Sequence, residues 1–302
     1  MPLTAQELLD LRTSLVVRWN RGLAAQNEDW KRIAGFIKST GDSNTYEWMS
    51  QFPAFRKWVG QRLHKTARET AYRVRNEKYE ATLDIPAEDI EDRRWFHYGD
   101  VAESHGVAVG DHKNDLVFSQ LKNGFTELCY DGQPFFDADH PVYPNEDGTG
   151  AAVTVSNLQA GTGEPWILAC TRRAPKFLYL QERTPARFDQ MIDPRRSDRV
   201  FDYDTYSFGG RWRGNAAFGF WQLAYASRAE LNADNFDAAT NAMLLTKGDG
   251  NRRLNIKPDL LICGVTNRVK AAKLLLAKTE TGGADNIRYK QVELLDTAWL
   301  SD

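Results

Sequence analysis

The chain has 302 residues, 42% hydrophobic and 26% charged, and these ordinary globular values exclude a wholly disordered or fibrous protein. Its formal net charge of -2 excludes a strongly basic protein dedicated to nucleic-acid binding. Its three cysteines lie far apart and fit neither a disulfide framework nor a CxxC metal site, which favours a reducing cytoplasm. Aromatic residues make up 12% of the chain, and this content favours a protein that assembles through aromatic contacts.

Nothing in the sequence indicates a signal peptide or a membrane span. Charges at Glu7, Asp10 and Arg12 stand where a signal peptide needs an apolar run. An apolar run of about 18 residues, the length that a spanning helix needs, occurs nowhere in the chain. We therefore expect no contact with a membrane, and the length predicts one large domain or two intimately packed ones.

The first predicted element is an amphipathic helical arm from Ala5 to Ile37. Its apolar residues recur mostly at helical spacing, Thr4 is suited to the N-cap position, and a break is expected near Gly22. The turn-forming stretch STGDSN follows at residues 39–44. The tryptophans of this arm need a partner surface that buries them.

Two adjacent stretches carry opposite charge. Residues 56–78 hold eight Lys or Arg against two Glu, whereas residues 80–115 hold ten Asp or Glu against three Lys or Arg. The sequence TAYRVRNEKYEATLDIP at residues 70–86 alternates in a way that predicts a solvent-exposed hairpin. A solvated face is the usual use of such charge, pairing between neighbouring copies is the alternative, and nucleic-acid binding is a weaker third reading because few aromatics flank the basic run.

A long helix is predicted over residues 100–123, with Gly124 as its C-terminal stop. Gly106 and Gly110 weaken this helix but permit close approach of another backbone. The residues predicted to share one side of it are Val101, His105, Ala108, His112 and Leu121.

Beyond Gly124 the pattern changes to short strands and turns. Strands are predicted within residues 166–191, 203–227, 257–264 and 288–300, and helices at about 235–245 and after residue 264. The predicted class is therefore mixed α+β.

Few motifs of known chemistry occur. The sequence contains neither GxGxxG nor GxxxxGK[ST], and it lacks HExxH and GxSxG. His105 and His112 are seven residues apart on the predicted helix, too far to share one metal ion. We therefore expect a structural role for both histidines.

The stretch YDGQPFFDADHP, Tyr130 to Pro141, is the remaining candidate for chemistry. Asp137, Asp139 and His140 could hold a divalent ion if another ligand came from elsewhere, which would fit a metal-dependent hydrolase. The alternative is two tight turns whose aspartates bond to backbone amides. On that alternative, replacing Asp139 by asparagine is expected to destabilise the loop.

The order of four segments resembles a known family. TYEWMSQFPAFRKWVG, KYEATLDIPAEDIED, DLVFSQLKNGFTELCYDGQPFFDADHPV and RGNAAFGFWQLAYAS together are similar to the major head (capsid) subunit of phage Mu and Mu-like prophages. The likeness runs from about Thr45 to Leu300, and KNGFTELCYDGQPFFDADHP is its most specific part. With this resemblance, the structural reading of the loop outweighs the metal reading.

The resemblance implies the Hong Kong 97 type of capsid fold. It divides the chain into an N-terminal arm (1–55), an extended loop (56–86), a spine helix with part of a peripheral domain (87–123), an axial domain with returning peripheral strands (124–285) and a C-terminal strand (286–302). In this fold the extended loop reaches over a neighbouring copy, which favours the reading of the charge reversal as a contact between copies.

The function that the resemblance implies is structural. Copies form pentamers and hexamers of an icosahedral head around double-stranded DNA, with which contact is weak and non-specific. No enzymatic activity, catalytic residue, metal or cofactor is expected, and an encapsulin-like shell is an alternative of the same fold. The chain has no room for a removable scaffolding segment ahead of the arm, so a separate scaffolding protein is expected, with a portal and a possible decoration protein as further partners. The location implied is the virion, after assembly in the host cytoplasm.

Two sets of residues are singled out. The candidate contacts between copies are Arg62, Lys65, Arg68, Arg73, Arg75, Lys78, Glu88, Asp89, Glu91 and Asp92. The candidate structural loop comprises Asp131, Gly132, Asp137, Asp139 and His140.

Overall fold

The structure is a computed structural model, and it describes residues 5–25, 27–46, 72–92, 94, 96–146, 148–191, 198–280 and 282–301. Its α-helices in these ranges are α1 (Ala5–Ala24), α2 (Trp30–Ile33), α3 (Ala87–Glu91), α4 (Phe96–Asn123), α5 (Asp198–Tyr203), α6 (Ala233–Leu245) and α7 (Arg268–Leu276). Its strands there are β1 (Ala34–Lys38), β2 (Ser43–Thr45), β3 (Arg73–Arg75), β4 (Glu77–Pro86), β5 (His140–Val142), β6 (Val153–Val155), β7 (Leu158–Gln159), β8 (Trp166–Ala169), β9 (Leu178–Met191), β10 (Thr205–Phe218), β11 (Ala224–Ser227), β12 (Lys247–Gly248), β13 (Arg252–Arg253), β14 (Leu260–Cys263) and β15 (Glu293–Asp296).

Two sheets form the frame of the molecule. The first has the strand order β1-β9-β10-β4, in which β1 is parallel to β9 and the other pairs are antiparallel. The second has the order β15-β14-β8-β11-β7, with antiparallel pairs at its centre and a parallel pair at each edge. Strands β8 (WILA) and β14 (LLIC) are unbroken apolar runs whose residues are all buried, so they form the centre of the core.

Strands β9 and β10 connect the core to the periphery. The first four residues of β9 are buried, and from Glu182 onward partly buried and exposed residues alternate, so one face of its distal half is covered. Helices α1 and α4 supply that cover. A second apolar cluster there joins Leu11 and Leu15 of α1 to Leu83 of β4 and Phe208 of β10.

Glycines bring α1 and α4 into backbone contact. A Cβ atom added at Gly106 of α4 would lie 2.1 Å from the carbonyl oxygen of Trp19, and one added at Gly22 of α1 would lie 1.9 Å from that of Glu103. Arg18 of α1 also forms an ion pair of 3.0 Å with the Glu103 carboxylate. The prediction that Gly106 permits close approach of another backbone is confirmed, and the backbone is that of the arm helix.

The predicted long helix is confirmed as α4, and of the residues predicted to share one of its sides only Leu121 is buried. The residues that α4 buries are Gly99, Ala102, Gly106, Gly110, Asn114, Val117, Phe118 and Leu121. Small residues face the neighbouring helix because α1 lies so close, and Val101 is exposed instead. Small side chains therefore mark the packed face in the first half of α4, and large ones mark it only from Val117 onward.

Two further predictions are corrected by strand pairing. The arm does not remain helical to Ile37, because residues 34–38 form β1 and pair with β9, with Ala34 opposite Leu178. Residues 72–86 do not form a hairpin with themselves, because β3 pairs with β2 and β4 pairs with β10 over ten residues. In both segments a distant strand outweighs the local pattern.

The remaining predicted elements agree with the structure. The confirmed ones are β8 and β9, β10 and β11, α6, β14 followed by α7, and the C-terminal strand β15. None of the helices within the described ranges is long and apolar enough to cross a membrane.

Candidate functional site

Residues 126–157, which we name the acidic lobe, connect α4 to β7 and contain the stretch YDGQPFFDADHP. The lobe begins with a tight turn in which the Cys129 amide donates to the Gln133 carbonyl at 2.8 Å. Gly132 has a φ of 85°, a left-handed conformation that favours glycine. Phe135 then anchors the lobe in the core, where its ring stacks on that of Phe218 at 4.7 Å between centroids. The predicted turn at Asp131-Gly132 is confirmed.

His140 is the polar centre of the lobe. Its side chain is 0% exposed, and its ring stacks on Trp221 at 4.0 Å with an interplanar angle of 7°. Nδ1 lies 2.8 Å from Asp131 Oδ2, and Nε2 lies 3.2 Å from Asn157 Oδ1. Both ring nitrogens therefore face oxygen acceptors, and only the imidazolium form donates to both.

Asp131 is held by three hydrogen-bond donors. Besides His140, its carboxylate accepts from the Cys129 thiol at 3.1 Å and from the Gln133 amide at 3.1 Å. Burial alone would raise the pKa of Asp131, but the hydrogen bond and positive charge of His140, aided by Cys129 and Gln133, hold this pKa below its usual value. The partner of His140 is thus Asp131, nine residues earlier, rather than Asp139 beside it.

The other two aspartates of the stretch differ from each other. Asp137 accepts from the Ala138 amide at 2.6 Å, as predicted for a turn residue, and its own amide donates to Asn157 Oδ1 at 2.8 Å. Asp139 is exposed and makes no hydrogen bond within the described part of the chain. The expectation that Asp139 stabilises the loop therefore finds no contact to support it.

Asn157 is the residue that sequence reasoning missed. It is buried, and its side-chain amide donates to the Phe135 carbonyl at 2.9 Å, to that of Trp221 at 3.3 Å and to that of Ala224 at 3.4 Å. Its Oδ1 accepts from both Asp137 and His140. One amide group thus fastens the lobe to the edge of the five-stranded sheet.

The predicted metal cluster of Asp137, Asp139 and His140 is replaced by another group. Ligand atoms of Cys129, Asp131 and His140 lie within 4.8 Å of one another. Burial raises the pKa of the Cys129 thiol and disfavours the thiolate that a metal needs. The three side chains already satisfy one another by hydrogen bonds, so the geometry favours a structural network.

Replacing Asp131 by asparagine is expected to lower the free energy of unfolding by about 1 to 2 kcal/mol at pH 7, because a buried charge-assisted bond to His140 is lost. The pKa of Asp131 is lowered on folding, so its contribution is fully present above the unfolded value of about 3.9 and is lost as pH falls through the lower folded value. Urea unfolding of the unassembled subunit from pH 3 to 7 measures this. A constant difference from wild type at every pH would contradict the assignment, and Asp139→Asn is the matched control.

The second candidate region is the described part of the basic stretch 56–78, together with the strand β2 that pairs with it. Strands β2 and β3 pair antiparallel, and Tyr46 and Tyr72 extend the ladder with an amide-to-carbonyl bond of 2.8 Å. The buried Gln181 of β9 accepts from the Tyr46 hydroxyl at 2.7 Å and donates to the Val74 carbonyl at 3.1 Å. Tyr46 and Tyr72 are therefore held next to each other at one fixed point beside β9.

The predicted contact residues fall into three groups. Arg62, Lys65 and Arg68 lie outside the described residues. Arg73 forms an ion pair of 3.3 Å with Asp42 of the same copy, whereas Arg75 and Lys78 are exposed.

The acidic candidates lie on and just after α3. Arg94 of the same copy lies 3.1 Å from both the Asp89 and the Asp92 carboxylates. Glu88 and Glu91 are exposed and form no ion pair within the described ranges. Within this set, Arg75, Lys78, Glu88 and Glu91 are therefore the groups left to meet another molecule.

The two histidines of the long helix have no shared ligand position. His112 packs on Tyr79 with ring centroids 4.0 Å apart, and burial lowers the pKa of His112. His105 lies two turns earlier on α4, as its spacing predicts. These contacts agree with the structural role expected for His112.

Comparison with known proteins identifies the chain. The family model of the Mu-like prophage major head subunit gpT matches residues 8–300. The chain belongs to this family. The head subunit is 36% identical to the major capsid protein of Escherichia phage Mu over 281 residues, with 91% of each chain covered. It is 35% identical to the Mu-like prophage FluMu major head subunit of Haemophilus influenzae, with 90% of each covered.

Solved structures agree with this membership. The head subunit superposes on a chain of the procapsid of bacteriophage JBD30 with a TM-score of 0.86 and 43% identity, covering 98% of this chain and 100% of that chain. The JBD30 capsid gives a TM-score of 0.75 and 36% identity, covering 92% and 93%. A JBD30 capsid decorated with minor capsid protein trimers gives 0.76 and 32%, covering 93% of each chain.

These comparisons confirm the resemblance and the Hong Kong 97 type of α+β fold. The head subunit is a structural capsid protein of a phage head that self-assembles into a shell, and its place is the virion. Its family consists of structural proteins rather than enzymes. The metal-dependent hydrolase hypothesis is therefore wrong.

Proposed function

We propose that the head subunit forms pentamers and hexamers, and that these close into an icosahedral shell around double-stranded DNA in the cytoplasm of a bacterial host. The observation that carries this proposal is the match to a JBD30 procapsid chain over 98% of the head subunit. A procapsid precedes a filled head, so a separate scaffolding protein and a portal are the partners expected. Contact with DNA is weak and non-specific, as suits a chain of net charge -2.

The division into arm, extended loop, peripheral domain and axial domain belongs to this proposal. The four-stranded sheet with α1 and α4 forms the peripheral domain, and the five-stranded sheet with α6 and α7 forms the axial domain. The extended loop of this proposal comprises residues 56–86, of which the structure describes 72–86 with β3 and β4. The arm of this proposal comprises residues 1–55 and includes α1 and β1.

Electron microscopy of the purified head subunit, alone and co-expressed with its scaffolding protein, tests the proposal. Closed shells or free rings of five and six copies are the expected result. A monomer that stays unassembled under both conditions would contradict it. Shells that package a foreign cargo protein rather than DNA would instead favour the encapsulin-like alternative.

The charged segments contribute a second part of the proposal. Exposed Arg75 and Lys78 at the base of the extended loop pair with exposed Glu88 and Glu91 of a neighbouring copy, since complementary charges fix the register of subunits. Asp89 and Asp92 take a smaller part because Arg94 of their own copy already pairs with them. Arg62, Lys65 and Arg68 extend the basic side.

The double variant Arg75→Glu with Lys78→Glu is expected to lower shell yield at least about tenfold, because like charges would then face each other between copies. Arg73 is left unchanged, since it pairs with Asp42 within the copy. Sedimentation and microscopy measure the yield, and circular dichroism checks folding. Lys38→Glu with Lys257→Glu is the control, because it changes the net charge by the same amount. Equal shell yields from the two double variants would contradict the proposed electrostatic contact between copies.

A further inference from the structure

The axial domain carries opposite charge at the two ends of its five-stranded sheet. Between Lys122 and Arg172 the sequence contains seven Asp or Glu and no Lys or Arg. Residues 268–290 contain six Lys or Arg and two Asp or Glu. We name α7 with the loop to Lys290 the basic edge, as the counterpart of the acidic lobe.

The sheet order places the C-terminal end of the acidic lobe and the basic edge at opposite edges of the five-stranded sheet. The acidic lobe ends at Asn157, directly before the edge strand β7, and the Asn157 carbonyl accepts from the Ala226 amide of β11 at 2.9 Å. The basic edge packs on β14 and on the other edge strand β15, where Arg268 of α7 lies 2.7 Å from Asp296. Four interstrand spacings of about 4.8 Å separate the edges, roughly 19 Å.

Several charges of both regions are unmatched within one copy. Glu127, Asp137 and Asp139 form no ion pair in the described ranges, and neither do Lys273 and Lys278. Three other cations of the basic edge are already paired within the copy. Arg268 pairs with Asp296, Lys270 with Glu230 and Arg288 with Asp237. The remaining charges are available to another molecule.

Apolar side chains accompany these charges. Val269, Lys273 and Leu276 share one exposed face of α7 at positions i, i+4 and i+7, while Ala271 and Leu275 face the core. The acidic lobe exposes Leu128 and Val153.

The loop after α7 adds a fixed apolar contact point. Ile287 is 80% exposed although both neighbours are anchored. The Asn286 side chain donates to the Leu274 carbonyl at 2.8 Å, and Arg288 Nε donates to Asp237 at 3.0 Å. Ile287 is thus held outward in a fixed position, as an interface anchor would be.

We propose that the acidic lobe of one copy docks on the basic edge of the next, so that axial domains join head to tail around the capsomer axis. The occupant is a second copy, because one chain carries both complementary surfaces. A two-fold contact of either surface with itself would face like charges, whereas a head-to-tail contact pairs opposite ones and closes into a ring. This inference rests on the proposed function, of which it names the contact.

Two double variants test the contact. Glu127→Lys with Asp139→Lys makes the lobe basic, and Lys273→Glu with Lys278→Glu makes the edge acidic. Each alone is expected to lower the yield of rings and shells at least about tenfold, since like charges then meet at every contact. The chain that carries all four substitutions regains the wild-type net charge and the opposite pairing, and it is expected to recover assembly.

Mixing the two double variants in equal amounts gives the sharper test. Each variant pairs well only with the other, so an alternating ring of six copies satisfies all contacts. A ring of five must place two like copies side by side. We therefore expect six-membered rings and sheets or tubes built from them, but few five-membered rings and few closed shells, as counted by native mass spectrometry and microscopy.

The outcomes separate the two proposals. If wild type forms shells and both double variants do so equally well, the contact is wrong and the proposed function stands. If wild type forms no assembly, the proposed function itself fails. If the two folded double variants do not assemble, and neither the chain with all four substitutions nor the mixture recovers assembly, the proposed pairing of the lobe with the edge is wrong. Should one variant not fold by circular dichroism, the neutral Lys273→Gln with Lys278→Gln serves instead, and an unchanged wild-type yield from it would count against the contact.

Discussion

Replacing Gly106 by alanine is expected to destabilise the unassembled head subunit by about 2 kcal/mol or more. An alanine in a helix normally gains about 1 kcal/mol over glycine, so the expected sign is the reverse of the usual one. The added Cβ would lie 2.1 Å from the Trp19 carbonyl oxygen and 2.8 Å from the Leu23 amide nitrogen. Both are backbone atoms that cannot rotate away, so α1 must move off α4. Chemical denaturation measures the change.

The same helix provides a matched control. Gly99 is also buried, but a Cβ atom there would meet only the Arg18 side chain at 3.7 Å, an ordinary contact distance. Gly99→Ala is therefore expected to be neutral or to stabilise the subunit by up to about 1 kcal/mol. Equal effects of the two substitutions on the free energy of unfolding would show that helix propensity determines the outcome, and not the close approach of the α1 and α4 backbones.

Replacing Asn157 by leucine is expected to lower the free energy of unfolding by about 3 kcal/mol or more. The substitution leaves His140 Nε2 and the Asp137 amide without their shared acceptor, and buried groups without partners cost about 1 to 3 kcal/mol each. Hydrogen exchange should also speed up through the acidic lobe, because Asn157 joins the lobe to Trp221 and Ala224. Urea unfolding and hydrogen exchange of the unassembled subunit measure the two effects.

Asn145→Leu is the control of identical chemistry in the same lobe. Asn145 is exposed and bonds to Thr149 at 3.0 Å, so its loss is expected to change stability by less than about 0.5 kcal/mol. Faster exchange confined to the residues near Asn157, without loss of global stability, would mean that the lobe opens independently of the core.

Elements that carry their own signal were predictable. Strands β8 and β14 are unbroken apolar runs, and α4 is a long polar and apolar segment closed by a glycine, so local pattern specifies each of them. The distant pairings were not predictable. Residues 34–38 continue a helical spacing by coincidence, and only the parallel partner β9 makes them a strand.

The candidate site shows the same limit for single polar residues. The DxDH pattern predicted a tight turn, but His140 and Pro141 belong to β5. The pattern also did not reveal that His140 faces Asp131, which lies nine residues earlier. Asn157 and Gln181 are lone amides in unremarkable sequence, and their importance comes from partners 17 to 135 residues away. Only the tertiary structure of the subunit brings these two amides together with their partners.

The ladder of β2 and β3 has a consequence for engineering. The backbone departs at Tyr46 and returns at Tyr72 across one hydrogen bond, and Gln181 fixes both sides to β9. The number of residues between these tyrosines is therefore uncoupled from the register of either sheet. Insertions or deletions in that interval are therefore expected to leave the free energy of unfolding of the subunit unchanged, which makes the interval a site for added peptide sequence.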